Sequence, residues 1–93
     1  MHTVYLLVCP MDKTIRYVGC SSDPKKRLTE HTSPSNRAKG RLRDWFDRLK
    51  RQRLKPKLVV WRHYKNRVEA ENEEQDLISH MSGLFNRRHN SYV

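Results

Sequence analysis

Residues 2–9, HTVYLLVC, form an unbroken apolar run of strand length, the pattern of a central strand buried on both faces. PMDKT (10–14) interrupts it as a turn, and IRYVG (15–19) resumes as a second short strand, so the two predict a hairpin. The irregular turn leaves the register open. So short a connection nevertheless brings Tyr5 and Tyr17 near each other across the pair. Asp23 then offers a helix cap and Pro24 suits a first helical position, which starts a helix at about residue 24 that ends near 31–33, before Pro34. SPSNRAKG (33–40) is a polar loop or a frayed helix start. A second helix is predicted over about 38–52, where Leu42, Trp45, Phe46 and Leu49 recur at i, i+3, i+4 and i+7. Pro56 leads into a third strand over about 57–63, LVVWRH with its entering lysine.

The last periodic stretch, NRVEAENEEQDLISHM (66–81), predicts a helix capped by Asn66, with acidic residues in the first turns where the helix dipole favours them. On a wheel of about 100° per residue, Ala70, Leu77, Ile78 and Met81 fall on one side, and Glu74 lies in the middle of their stripe. Glu69, Glu73 and Asp76 point away and Glu71 sits at the margin. Solvent, capping or the dipole accounts for those four, but not for Glu74. A carboxylate on a core-facing stripe has to be paired, protonated or bound to a cation, because burying it bare costs several kcal/mol.

These elements describe an α/β (α+β) chain: a small three-stranded, antiparallel-type sheet flanked by three helices. The 93 residues suit one domain, and neither a repeat nor a low-complexity linker divides them. Cys9 and Cys20, without a C-x-x-C spacing, read as reduced core residues, and the five histidines lack the paired spacing of a structural zinc site. The N-terminal run lacks the features of a signal peptide and is too short to span a membrane, so an intracellular protein of the cytoplasm, nucleoid or nucleus is expected.

Charge changes the picture most. Twenty Lys and Arg face ten Asp and Glu, a formal net charge of +10, which favours a polyanionic partner through counterion release. Against that background three features suggest chemistry: two strand tyrosines, Arg27 with His31 one turn later on the first helix, and the inward Glu74. Each alone has an ordinary structural explanation. Together on a basic domain they look like parts of a metal-dependent phosphodiester-cleaving site.

The same residues carry a family resemblance. TVY (3–5) and YVG (17–19), separated by a turn, resemble the two motifs of the GIY-YIG nuclease domain, with Thr3-Val4 in place of Gly-Ile in the first. DPKKRLTEH (23–31) resembles the family's first helix, with Arg27 and His31 at its arginine and histidine. EAENEEQDLISHMSGLFN (69–86) resembles its last helix, with Glu74 at the metal-binding glutamate and Asn86 at the closing asparagine. The resemblance spans nearly the whole chain, in order.

It implies a small three-stranded sheet with flanking helices, and cleavage of DNA phosphodiesters with one Mg²⁺ or Mn²⁺ ion. Glu74 would be the only carboxylate ligand, with water and phosphate oxygens completing the shell. Arg27 would hold the non-bridging phosphate oxygens. Tyr5 is the first choice of general base, with Tyr17 and His31 orienting or relaying the proton. His31 is the rival, because a free tyrosine ionises near pH 10 and its phenolate at pH 7 costs about 4 kcal/mol. Gly19 and Asn86 would support the site. Residues 6–9 offer no lysine after Tyr5, and only the seven residues 87–93 follow Asn86, so no attached specificity domain is expected.

Lys25, Lys26, Arg41, Arg48, Arg62, Arg87 and Arg88 would grip the DNA backbone. Such contacts position without specifying sequence. The leading reading is therefore a metal-dependent endonuclease of low sequence specificity, or selective for DNA structure, with a protein partner able to supply targeting. A non-catalytic nucleic-acid-binding accessory module is the alternative. A small basic ribosome-associated protein would explain the charge but not Glu74.

Overall fold

A computed structural model describes residues 1–32 and 40–85. In these, strands β1 (His2–Val8) and β2 (Ile15–Ser21) are followed by helices α1 (Pro24–Thr32) and α2 (Arg41–Arg51), strand β3 (Lys57–Tyr64) and helix α3 (Arg67–His80). The three strands make one antiparallel sheet in the order β2-β1-β3. The apolar run of β1 takes the central place, and its residues 3–7 are buried, as expected for a strand covered on both faces.

Side chains alternate across the pleat, and the two faces build two cores. Tyr5, Leu7 and Cys9 pack with Trp45, Phe46 and Leu49 of α2, and Leu28 of α1 lies against them. Val4, Leu6 and Val18 on the opposite face pack with Ala70 and Ile78 of α3. Cys9 and Cys20 are free thiols on opposite faces.

Local sequence explains where the helices begin. The Asp23 carboxylate accepts from the Lys26 amide at 3.2 Å. Asn66 accepts from the Glu69 amide at 2.9 Å while its own amide donates to the Glu69 carboxylate at 3.1 Å, a reciprocal cap. Between β1 and β2, Asp12 accepts from both the amide and the hydroxyl of Thr14, which holds its carboxyl down to about 2. The observed β2 runs two residues beyond its predicted end, because Cys20 and Ser21 still pair with Val4 and Thr3.

After α3 the chain crosses the free edge of β2. The Phe85 amide donates to the Arg16 carbonyl at 2.6 Å, and Arg16 Nη1 donates to the Gly83 carbonyl at 3.0 Å. Leu84 joins the α3-side core and Phe85 the α2-side core, with its ring 5.2 Å from the Arg16 guanidinium. This crossing covers one end of the β2 edge. Asn86, Arg87 and Arg88 lie outside the described residues.

Candidate active site

The hairpin register is Tyr5↔Gly19 and Leu7↔Tyr17, so the two tyrosines lie diagonally on the same face. Their ring centroids are 6.3 Å apart. Tyr5 is buried at 1% exposure, and its phenol lies directly over Gly19. A methyl at Gly19 would collide with Tyr5 Cζ and come within 2.5 Å of its oxygen and 2.8 Å of Cε1. The glycine of YVG is therefore a close-approach glycine: its missing side chain is the space the tyrosine occupies.

α1 packs on the same face and carries Arg27 and His31 one turn apart. The half-buried His31 ring meets Tyr17 edge-on at 5.8 Å, so Tyr5, Tyr17 and His31 form a continuous row of rings. Arg27 is half exposed, and its contact to Glu30 is long at 3.9 Å. Glu74 comes from α3, the helix on the other face. α1 and α3 both pack against β2, and the site forms along that strand, where groups from the two faces meet.

The charges of these groups bear on one another. Burial pushes the Tyr5 phenol well above its usual range, and neighbouring Tyr17 and the Glu74 charge add to this while Arg27 opposes it. Tyr17 is raised in the same way, by burial and then Glu74, against Arg27. Burial and then the Arg27 charge hold His31 below its ordinary value. Glu74 is raised from 4.5 to about 7, by burial first and then by Glu71, with Arg27 pulling the other way. Among the described residues no hydrogen bond or ion pair reaches the Glu74 carboxylate. Its helical neighbours are engaged: Glu71 pairs with Arg67 at 2.6 Å, and Glu73 accepts from the Trp61 indole at 3.1 Å. Glu73 is thus tied to β3 rather than simply facing solvent.

Five sequence-predicted residues are brought together: Tyr5, Tyr17, Arg27, His31 and Glu74, with Gly19 beneath Tyr5. The predicted DNA-gripping cations are dispersed. Lys26 is exposed beside Arg27, whereas Lys25 lines a groove against α2. Arg41 and Arg48 are exposed on α2, and Arg62 is exposed on β3, the sheet edge away from β2. Sequence reasoning passed over Arg16, which anchors the crossing after α3, Glu71, whose charge raises Glu74, and Cys20, whose thiol is pushed up by burial and then by Glu74. The i, i+3 spacing of Glu71 and Glu74 was the available signal.

A carboxylate held near neutral pKa beside an exposed arginine suits a site that handles charged phosphate esters. A family model of the GIY-YIG catalytic domain matches residues 1–89. The chain belongs to the GIY-YIG catalytic domain family, a family of nucleases. No curated protein and no solved structure matches it significantly.

Proposed function

We propose that the chain is a divalent-metal-dependent DNA endonuclease of low sequence specificity, or selective for DNA structure. The observation that carries this reading is Glu74: half-buried, raised to about 7, unpaired among the described residues, and facing two tyrosines and Arg27. A half-buried carboxylate without a cationic partner is an unfavourable choice for a binding surface, but it fits one ligand of a hard cation. An ion held by Glu74 alone would keep water and phosphate oxygens in most of its shell. Bound at Glu74, Mg²⁺ or Mn²⁺ would supply Lewis acidity that offsets charge on the leaving 3′ oxygen.

The remaining work falls to side chains. Arg27, half exposed and only loosely engaged by Glu30, is free to clamp the non-bridging oxygens of the scissile phosphate. The row of rings lines the place where the attacking water would sit. Both phenols stay protonated at pH 7 and His31 stays neutral, so the imidazole is the resting proton acceptor, and Tyr5 and Tyr17 orient the water. This shifts the preference from Tyr5 to His31. Burial adds to the cost of about 4 kcal/mol that any tyrosine base already bears at pH 7.

The test is nicking of supercoiled plasmid with Mg²⁺ or Mn²⁺. Wild type should nick, and EDTA or Glu74→Ala should abolish nicking. DNA binding without nicking under any divalent ion, equal in wild type and Glu74→Ala, would favour the non-catalytic binding module instead.

A further inference from the structure

α1 has a second working face. Lys25, Leu28, Thr29 and Thr32 recur at i, i+3, i+4 and i+7, on a different stripe from Arg27 and His31, and line an open groove of about 710 Å³ shared with α2 and the chain that follows it. That volume is enough to take a small ligand or several side chains. The floor is apolar: Leu28, Phe46, Leu54 and Leu58. The rim carries Lys25, Lys50, Arg53 and Lys55, and the carboxylate lining it, Asp47, is engaged by Arg43 Nε at 3.5 Å.

The end of α2 makes this more than a stretch of basic surface. The Arg53 amide donates to the Lys50 carbonyl at 3.0 Å and the Leu54 amide to the Leu49 carbonyl at 2.8 Å, a helix stop that requires a left-handed residue at position 53. Glycine suits that conformation, yet Arg53 holds it at φ 59°. The chain thus keeps a disfavoured backbone where the side chain supplies a rim cation. The turn also leaves Leu54 36% exposed at the groove, where such a residue commonly packs back onto its own helix.

We propose that this groove docks an acidic amphipathic peptide segment of a partner protein, with apolar side chains on the floor and carboxylates against Lys50, Arg53 and Lys55. Charge complementarity selects an acidic occupant, and the floor distinguishes a peptide from nucleic acid. A phosphodiester backbone answers the cations but leaves Leu54 and the half-buried Leu28 and Leu58 uncovered. α1 separates the groove from Arg27 and His31, so the docked segment leaves the catalytic face open.

The test is fluorescence anisotropy at 150 mM salt with labelled synthetic helical peptides, one carrying Leu at i, i+3, i+4 and i+7 among glutamates, the other with those leucines replaced by serine. The leucine peptide should bind with a Kd on the order of micromolar, and the serine peptide at least about tenfold more weakly. Lys50→Glu and Leu54→Ser should each weaken the leucine peptide by about tenfold. Arg53→Gly separates function from folding: the melting temperature should rise by about 4–8 °C while the peptide binds several-fold more weakly. Absence of binding overturns the proposal. So does equal binding of both peptides, which would mean attraction to polyanions alone. A 20-base-pair duplex whose binding shows the same losses in Lys50→Glu and Leu54→Ser would assign the groove to nucleic acid and overturn it too.

Discussion

Glu74 should make the protein less stable than it could be, and removing its charge should show this. The substitution is Glu74→Gln, which keeps size and shape and loses only the ionisation. In the folded chain the carboxyl titrates at about 7, against an ordinary 4.5. The folded state therefore holds its proton while the unfolded chain has already released it. Between pH 4.5 and pH 7 the folded state binds more protons, so stability falls as pH rises, and above pH 7 the loss is complete and constant. The shift alone corresponds to at most about 3 kcal/mol, and solvent screening at a half-buried group reduces this to about 1–2 kcal/mol. In metal-free buffer at pH 8, Glu74→Gln should raise the melting temperature by on the order of 5–10 °C. At pH 4.5, where the folded wild type is also protonated, the two should melt nearly together. Urea melts at both pH values provide the free energies. A Gln variant that is destabilised at pH 8, or whose advantage does not change with pH, would refute the reasoning, because Glu74 would then be a satisfied structural group. The expected pattern is that of a functional carboxylate kept at the expense of stability.

Other outcomes follow from the same geometry. Gly19→Ala should force the Tyr5 phenol aside, cutting cleavage by about 10²-fold and costing about 1–3 kcal/mol in a denaturant melt; unchanged activity would mean that the position of Tyr5 is immaterial. The proton on Glu74 competes with a cation, so the apparent Mg²⁺ affinity should fall up to about tenfold per pH unit below pH 7, read from rates against metal concentration. At saturating metal the cleavage rate should level off between pH 7 and pH 9 if His31 is the acceptor. A continued tenfold rise per unit would return the role to a tyrosine. Phe85→Ala should lower the melting temperature by removing the ring that rests on Trp45 and under Arg16, a loss of about 2–4 kcal/mol.

Much of the fold was legible in the chain because its signals are local. The caps at Asp23 and Asn66, the stripe of α2 and the apolar run of β1 each depend on neighbours within a few residues. Glu74 stood out by the same logic, as a carboxylate at the wrong angle on a helical wheel. The register was not legible. The pairing shifts between Leu7 and Val8, and a further irregularity separates Val4 from Tyr5 against β3, so no count along the sequence places Tyr5 over Gly19. The crossing at 83–85 and the groove between α1 and α2 join segments distant in sequence, and only the folded chain shows them. The scattering of the basic residues was hidden for the same reason. A charge total of +10 does not say which cations share a face.

The central claim, that Glu74 and Arg27 serve one phosphodiester-cleaving site, is tested most directly by single-turnover cleavage and DNA binding measured on the same labelled DNA. Wild type, Glu74→Gln and Arg27→Ala are compared, each first shown to be folded by its melting curve. The Arg27–Glu30 contact is exposed and long, so its loss should leave stability within about 1 kcal/mol. The account predicts metal-dependent cleavage by wild type, a rate lowered by at least about 10²-fold in each variant, and DNA binding within a few-fold in all three. Cleavage that survives in the folded Glu74→Gln protein at the wild-type rate would contradict it.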